Sequence, residues 1–194
     1  MRGPAYSLPG AALAAFGVLL AQTPLKTVQI PEIPFVATSS AVAAAMLRLA
    51  NVTERDVVYD LGCGDGRIVT MAARDFHARG MGIDVNPDLI RRARDNADRA
   101  GVEASVTFEV ADLFDTDLHE ATVVALYLIP SMNVRLRPKL WKELKPGSRV
   151  VSHNWDMGDW TPDKEEEVDG QKLYLWTIRD GRRRRAAKES PAVR

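Results

Sequence analysis

One segment carries residues whose types and spacing could hold a reactive ligand: VVYDLGCGDGRI, residues 57–68. An apolar, strand-like run ends in Asp60 and passes at once into Gly62, Gly64 and Gly66, after which a helix-like pattern begins. Glycines at such a turn let the backbone approach a ligand closely and adopt conformations closed to other residues. Two phosphate-binding patterns are excluded. G-x-G-x-x-G counted from Gly62 needs glycine at position 67, where Arg67 stands, and no Gly-Lys-Ser/Thr follows. A strand-end carboxylate can instead pair with an ammonium group, which suits a cationic, amino-acid-like ligand. Cys63, the only cysteine, reads as a small packed residue beside that ligand and not as a nucleophile, because Asp60 and Asp65 disfavour a thiolate.

Two more carboxylates fall at equivalent places. Asp84 ends the next strand-like run, 18 residues past Gly66, where a carboxylate is the standard partner of two ribose hydroxyls, with Val85 beside it. Asp112 follows the third run, where it could accept from an adenine amino group with Leu113 and Phe114 against the ring. Each aspartate alone could equally be a helix cap or a loop residue. Three in succession after three strands argue for one binding cleft.

The elements that must position these residues alternate. Helical spacing is expected over residues 40–50, 67–77 and 86–100, the last capped by Asn86 and opened by Pro87, and over 134–144, bent or restarted at Pro138. Strands are expected over residues 56–61, 80–84, 104–110, 122–128 and 149–154. Residues 164–168 and 172–178 flank Asp169-Gly170, a favoured hairpin turn. Parallel strands need crossover helices, so the expected fold is α/β, a Rossmann-like three-layer sandwich with a mostly parallel sheet and an antiparallel C-terminal hairpin.

The glycine segment resembles the first motif of class I, seven-strand S-adenosylmethionine-dependent methyltransferases, and Asp84 and Asp112 match that family's ribose and adenine positions. The similarity spans residues 40–178. Further segments, FVATS at 35–39, LFDTDLHEATVV at 113–124, LRPKLWKELKPGSRVVSHNWDMGDW at 136–160 and LYLWTI at 173–178, resemble the small protein-lysine methyltransferases of archaea, their bacterial relatives and the mitochondrial enzyme that modifies the adenine nucleotide translocase. The resemblance implies S-adenosyl-L-methionine as cofactor, bound by Thr38, Asp60, Gly62, Cys63, Gly64, Gly66, Asp84, Val85, Asp112 and Leu113, and a protein substrate presenting lysine. Ala37 and Ser39 stand where those relatives carry prolines, which leaves the loop around Thr38 less rigid.

Methyl transfer to an amine requires a neutral nucleophile held in line and kept from water. The residues placed for this lie at the ends of the fourth and fifth strands: Tyr127, Ile129, Ser131 and Asn133, then His153, Asn154 and Trp155. Tyr127 could line a lysine channel or sit in the core. His153 could act on substrate or orient a loop. His77 and His119 read as surface residues, and no histidine pair has metal-ligand spacing, so no metal is expected. Leu128-Ile129-Pro130-Ser131 differs from the Asn/Asp-Pro-Pro-aromatic sequence of base-amino methyltransferases, which argues against DNA as substrate.

The 194 residues carry 26 basic and 26 acidic side chains. Residues 179–194 hold seven cations against two carboxylates, +5, so residues 1–178 carry −5. This basic tail is expected to be disordered, and Arg182, Arg183, Arg184 and Arg185 offer a site for RNA or an acidic partner. At the other end residues 11–21, AALAAFGVLLA, are uninterruptedly apolar, and residues 1–21 read as a signal-like segment or membrane anchor. Residues 22–39 read as a loop near the cofactor. Export or membrane tethering is expected, with a cytoplasmic protein as the alternative.

Overall fold

A computed structural model describes residues 36–180. The expectations for residues 1–21, for most of the loop 22–39 and for the arginine cluster of the tail lie outside the described residues. The order of elements is α1 (Ser40–Leu49), β1 (Val57–Leu61), α2 (Arg67–Phe76), β2 (Arg79–Asp84), α3 (Pro87–Ala100), β3 (Val106–Val110), β4 (Val123–Leu126), α4 (Pro130–Glu143), β5 (Arg149–His153), β6 (Lys164–Val168) and β7 (Gln171–Thr177). Seven strands form one sheet in the order β3-β2-β1-β4-β5-β7-β6. Strands β1 to β5 pair in parallel, and β7 pairs antiparallel with both β5 and β6. Among the described residues no helix is long and apolar enough to cross a membrane.

Alternation along the central strands builds a core on each face of the sheet. Val123 and Ala125 of β4 pack with Val42 and Met46 of α1 and Ile68 and Met71 of α2. Val124 and Leu126 face the other way, toward Leu136 and Leu140 of α4 and Trp176 of β7. A third cluster joins Ile90, Ala93 and Ala97 of α3 to Phe108 of β3. All four residues of β4 are buried, as a parallel strand covered on both faces requires.

The sequence places the helix starts well where a cap is present. Ser39 accepts from the N–H of Val42 at 3.2 Å, and Asn86 accepts from that of Asp88 at 2.9 Å. The fourth helix departs from expectation. It starts at Pro130, not near residue 134, and runs unbroken through Pro138. Pro130 suits the first helical turn, where no donor is needed. Pro138 has no N–H to give the Val134 carbonyl, yet the helix continues through it. The fourth strand is shorter than expected, ending at Leu126, so Tyr127 lies just beyond it.

Candidate active site

The glycine loop sits at the carboxyl end of β1, between β2 and β4. Asp60 is in register with Gly82 of β2 and Ala125 of β4, so its neighbours on that face are the two smallest residues available. The loop is closed by backbone bonds: the N–H groups of Gly62 and Cys63 both donate to the Ile83 carbonyl, at 2.8 and 2.9 Å. Gly62, Gly64 and Gly66 have φ of +87°, +55° and +75°, the left-handed region that favours glycine. They serve different ends. A Cβ on Gly66 would come within 2.6 Å of the Phe108 ring and 2.7 Å of Ala93, so its small size serves helix and strand packing.

Asp84, at the end of β2, ties the loop to the next helix. One carboxylate oxygen accepts from the N–H of Gly64 at 3.0 Å, and the other from that of Asn86 at 2.9 Å. Each oxygen keeps a further lone pair for a ligand. Val85 beside it is 42% exposed. Asp112 is exposed and accepts from the N–H of Phe114 at 2.8 Å. Leu113 is buried in the core on the α4 face, and one face of the Phe114 ring is covered by the Arg135 guanidinium, 3.8 Å from its centroid.

The electrostatics of the loop favour a cation. Asp60 is 3% exposed. Burial, reinforced by the charges of Asp84 and Asp65, pushes its carboxyl up to about 8, and no cation among the described residues offsets this. A buried carboxyl without a counter-ion, beside two others, suits a cationic ligand group. Burial, with Asp60 and Asp84 adding to it, also pushes the Cys63 thiol up, so no thiolate forms there.

Two residues important to the site, Arg67 and Gln171, were given no site role from sequence. Arg67 donates twice to the Asp65 carboxylate, at 2.8 and 2.5 Å, and once to the Thr38 carbonyl at 2.7 Å. It therefore clamps the N-terminal loop onto the start of α2. The other is Gln171, which accepts from the side-chain amide of Asn154, a residue expected here, at 2.6 Å and also meets His153 at 3.2 Å. Only the Asp169-Gly170 turn signal hinted that the hairpin brings Gln171 here.

At the ends of β4 and β5 the structure brings Tyr127, His153 and Thr38 together. The Tyr127 and His153 rings stack with centroids 3.9 Å apart. Thr38 Oγ1 lies 3.2 Å from His153 Nδ1. His153 is 3% exposed, and burial lowers its pKa, opposed by the Gln171 contact. Asn133, by contrast, is fully buried and turned to protein: its amide reaches the Trp155 carbonyl and the Ser152 hydroxyl, each at 3.2 Å. Ile129, Ser131 and Trp155 are exposed around this cluster. His77 and His119 are on the surface. Possible metal-ligand atoms of Asp117, His119 and Glu143 lie within 4.8 Å of one another, in the β3–β4 connection and at the end of α4. There Glu143 already serves Lys139 and the N–H of Leu118.

Comparison with known proteins identifies the family of the domain as a whole. The family model described as the ANTKMT methyltransferase domain matches residues 60–164. A protein-lysine N-methyltransferase of Saccharolobus islandicus is 41% identical over 154 residues, covering 77% of this chain and 96% of that protein. The adenine nucleotide translocase lysine N-methyltransferase of Mus musculus is 36% identical, over 79% of this chain and 68% of that one. A crystal structure described as an RNA methyltransferase from Salinibacter ruber, in complex with S-adenosyl-L-homocysteine, is 54% identical with a TM-score of 0.74, over 75% of this chain and 95% of that chain. With the seven-strand sheet, the acidic glycine loop and these matches along most of its length, the chain belongs to the ANTKMT methyltransferase-domain family of class I S-adenosylmethionine-dependent methyltransferases.

Proposed function

We propose that this chain methylates the side-chain amine of a lysine in a protein substrate. The observation that carries the reading is the 41% identity with a protein-lysine N-methyltransferase along 96% of that protein's length. The site supports it. The reading assigns Asp60 to the cofactor's ammonium, Asp84 to its ribose hydroxyls, and Asp112, Val85 and Leu113 to the adenine, with Gly62, Gly64, Gly66 and Cys63 forming the loop beneath. When bound, S-adenosylmethionine supplies a methyl group on a sulfonium sulfur, activated for in-line displacement. The chain's own task is to position the amine and to strip its proton. Tyr127, half-buried and stacked on a neutral His153, gives the amine an uncharged wall, which favours its neutral, nucleophilic form by desolvation. Thr38 closes the same end.

The test is incubation of the purified protein with methyl-labelled cofactor and a panel of proteins, RNA and small amines. Label should appear on protein lysines. The Salinibacter ruber relative described as an RNA methyltransferase favours a second reading, an RNA substrate, which Arg182, Arg183, Arg184 and Arg185 would assist. Label on RNA alone would establish it. Within the same proposal, residues 1–21 tether or export the protein, tested by fractionation and N-terminal sequencing of the mature chain.

A further inference from the structure

The proton positions around His153 can be read from one donor whose identity is certain. The backbone N–H of Lys172 can only donate, and it lies 3.0 Å from Asn154 Oδ1. The other amide atom of Asn154 is therefore nitrogen, and it donates to Gln171 Oε1 at 2.6 Å. His153 Nε2 meets that same oxygen at 3.2 Å, so Nε2 carries the ring proton. Burial disfavours a second proton, which leaves Nδ1 a bare acceptor. Thr38 Oγ1, 3.2 Å from Nδ1, must then be the donor. A hydroxyl has one proton, and with that proton committed its oxygen can only accept from any other partner.

We propose that Gln171 and Asn154, on the antiparallel side of the sheet, are positioning residues that set the His153 tautomer and so make Thr38 an obligate acceptor for the cofactor's ammonium. This rests on the reading of Thr38 as a cofactor-side residue. Several features show that the arrangement is built. Asn154 holds a left-handed backbone, φ +63°, and its N–H donates to the Lys172 carbonyl at 2.6 Å, which locks it to β7. Thr38 is 4% exposed, and its carbonyl is pinned by Arg67. Among the described residues the side chains that bond to or stack on His153 are Thr38 from the N-terminal loop, Tyr127 from the end of β4 and Gln171 from β7, none of them charged. A positive imidazolium here would reverse the relay. Nδ1–H would donate to Thr38, and the released hydroxyl proton, together with the ring's charge, would oppose an incoming ammonium.

Gln171→Glu tests this with little change in shape. A carboxylate against Nε2 holds His153 protonated at neutral pH. Nitrogen-15 spectra of the histidine rings should show wild-type His153 as the neutral Nε2–H tautomer at pH 7 and as imidazolium in Gln171→Glu. Calorimetric titration should show cofactor affinity reduced about ten- to a hundredfold, the scale of one hydrogen bond to a charged group, and more at pH 6 than at pH 8. Thr38→Val should lose a similar factor, and Thr38→Ser should recover it. A wild-type His153 that is Nδ1–H or charged at pH 7 would overturn the inference. So would full affinity in both Gln171→Glu and Thr38→Val. Wild-type protein that binds no S-adenosylmethionine would overturn instead the cofactor reading beneath it.

Discussion

Binding of the cofactor should expel a proton from Asp60. In the free protein burial and two neighbouring carboxylates hold this group at about 8, so at pH 7 it is about nine-tenths protonated. An ammonium group arriving beside it favours the charged form and returns the carboxyl toward the ordinary range near ~3.9. Binding therefore releases about 1 proton at pH 6 and about 0.9 at pH 7. Apparent affinity should rise nearly tenfold over that interval, and the remaining cost at pH 7 is about 1.4 kcal/mol. The assay is isothermal titration calorimetry at fixed pH in buffers of different ionisation enthalpy, where the slope of observed enthalpy against buffer enthalpy counts protons. Asp60→Asn should flatten that slope. The folded-state value lies above the unfolded one, so the free protein should also lose stability as pH rises from about 4 to about 8. Saturating cofactor should remove that decline. A proton count near zero at pH 7, or an unchanged slope in Asp60→Asn, would refute the reasoning.

Other substitutions separate binding from scaffolding. Gly66→Ala should cost about 2–4 kcal/mol in chemical denaturation, from a left-handed backbone and a Cβ driven into Phe108 and Ala93; unchanged stability would contradict the packing account. Asp84→Ala should weaken cofactor binding by about 1–3 kcal/mol by calorimetry, and also lower the melting temperature because the Gly64 and Asn86 N–H groups lose their acceptor. Asp56, buried at the opposite end of the sheet, accepts from Thr53 and Thr122 and pairs with Arg149. Asp56→Ala should destabilise the fold by about 3–5 kcal/mol without changing cofactor affinity in the folded protein. Burial works against the Asp56 charge, but the bonds from Thr122, Thr53 and Arg149 outweigh it and hold the carboxyl below its usual range. Its stabilisation is thus present above about pH 4 and lost as pH falls through the lowered value, and wild-type acid unfolding should show that extra step relative to Asp56→Ala.

Much of this molecule is written in local chemistry. The alternation of strand and helix patterns, Asn86-Pro87 at a helix start, Asp169-Gly170 at a hairpin and the glycine loop after Asp60 all act through neighbours within a few residues, and all appear where the sequence places them. The fourth helix differs from its sequence pattern because proline carries opposite meanings at its two positions. Pro130 suits a first turn, whereas Pro138 would normally break a helix, and only the folded chain reveals that the helix continues through it. The acidic motif told that a cation belongs in the cleft, since carboxylates need counter-charges wherever they sit. It could not tell how strongly Asp60 resists ionisation, because that follows from burial between Gly82 and Ala125 on strands distant in sequence. The arrangement at the far side of the site is tertiary throughout. Thr38 and His153 are 115 positions apart, and which of them donates is decided by Gln171, Asn154 and one backbone N–H of the hairpin. Residue types set what each group can do; a hydrogen bond's direction depends on every partner in the chain of contacts, and only the fold assembles them.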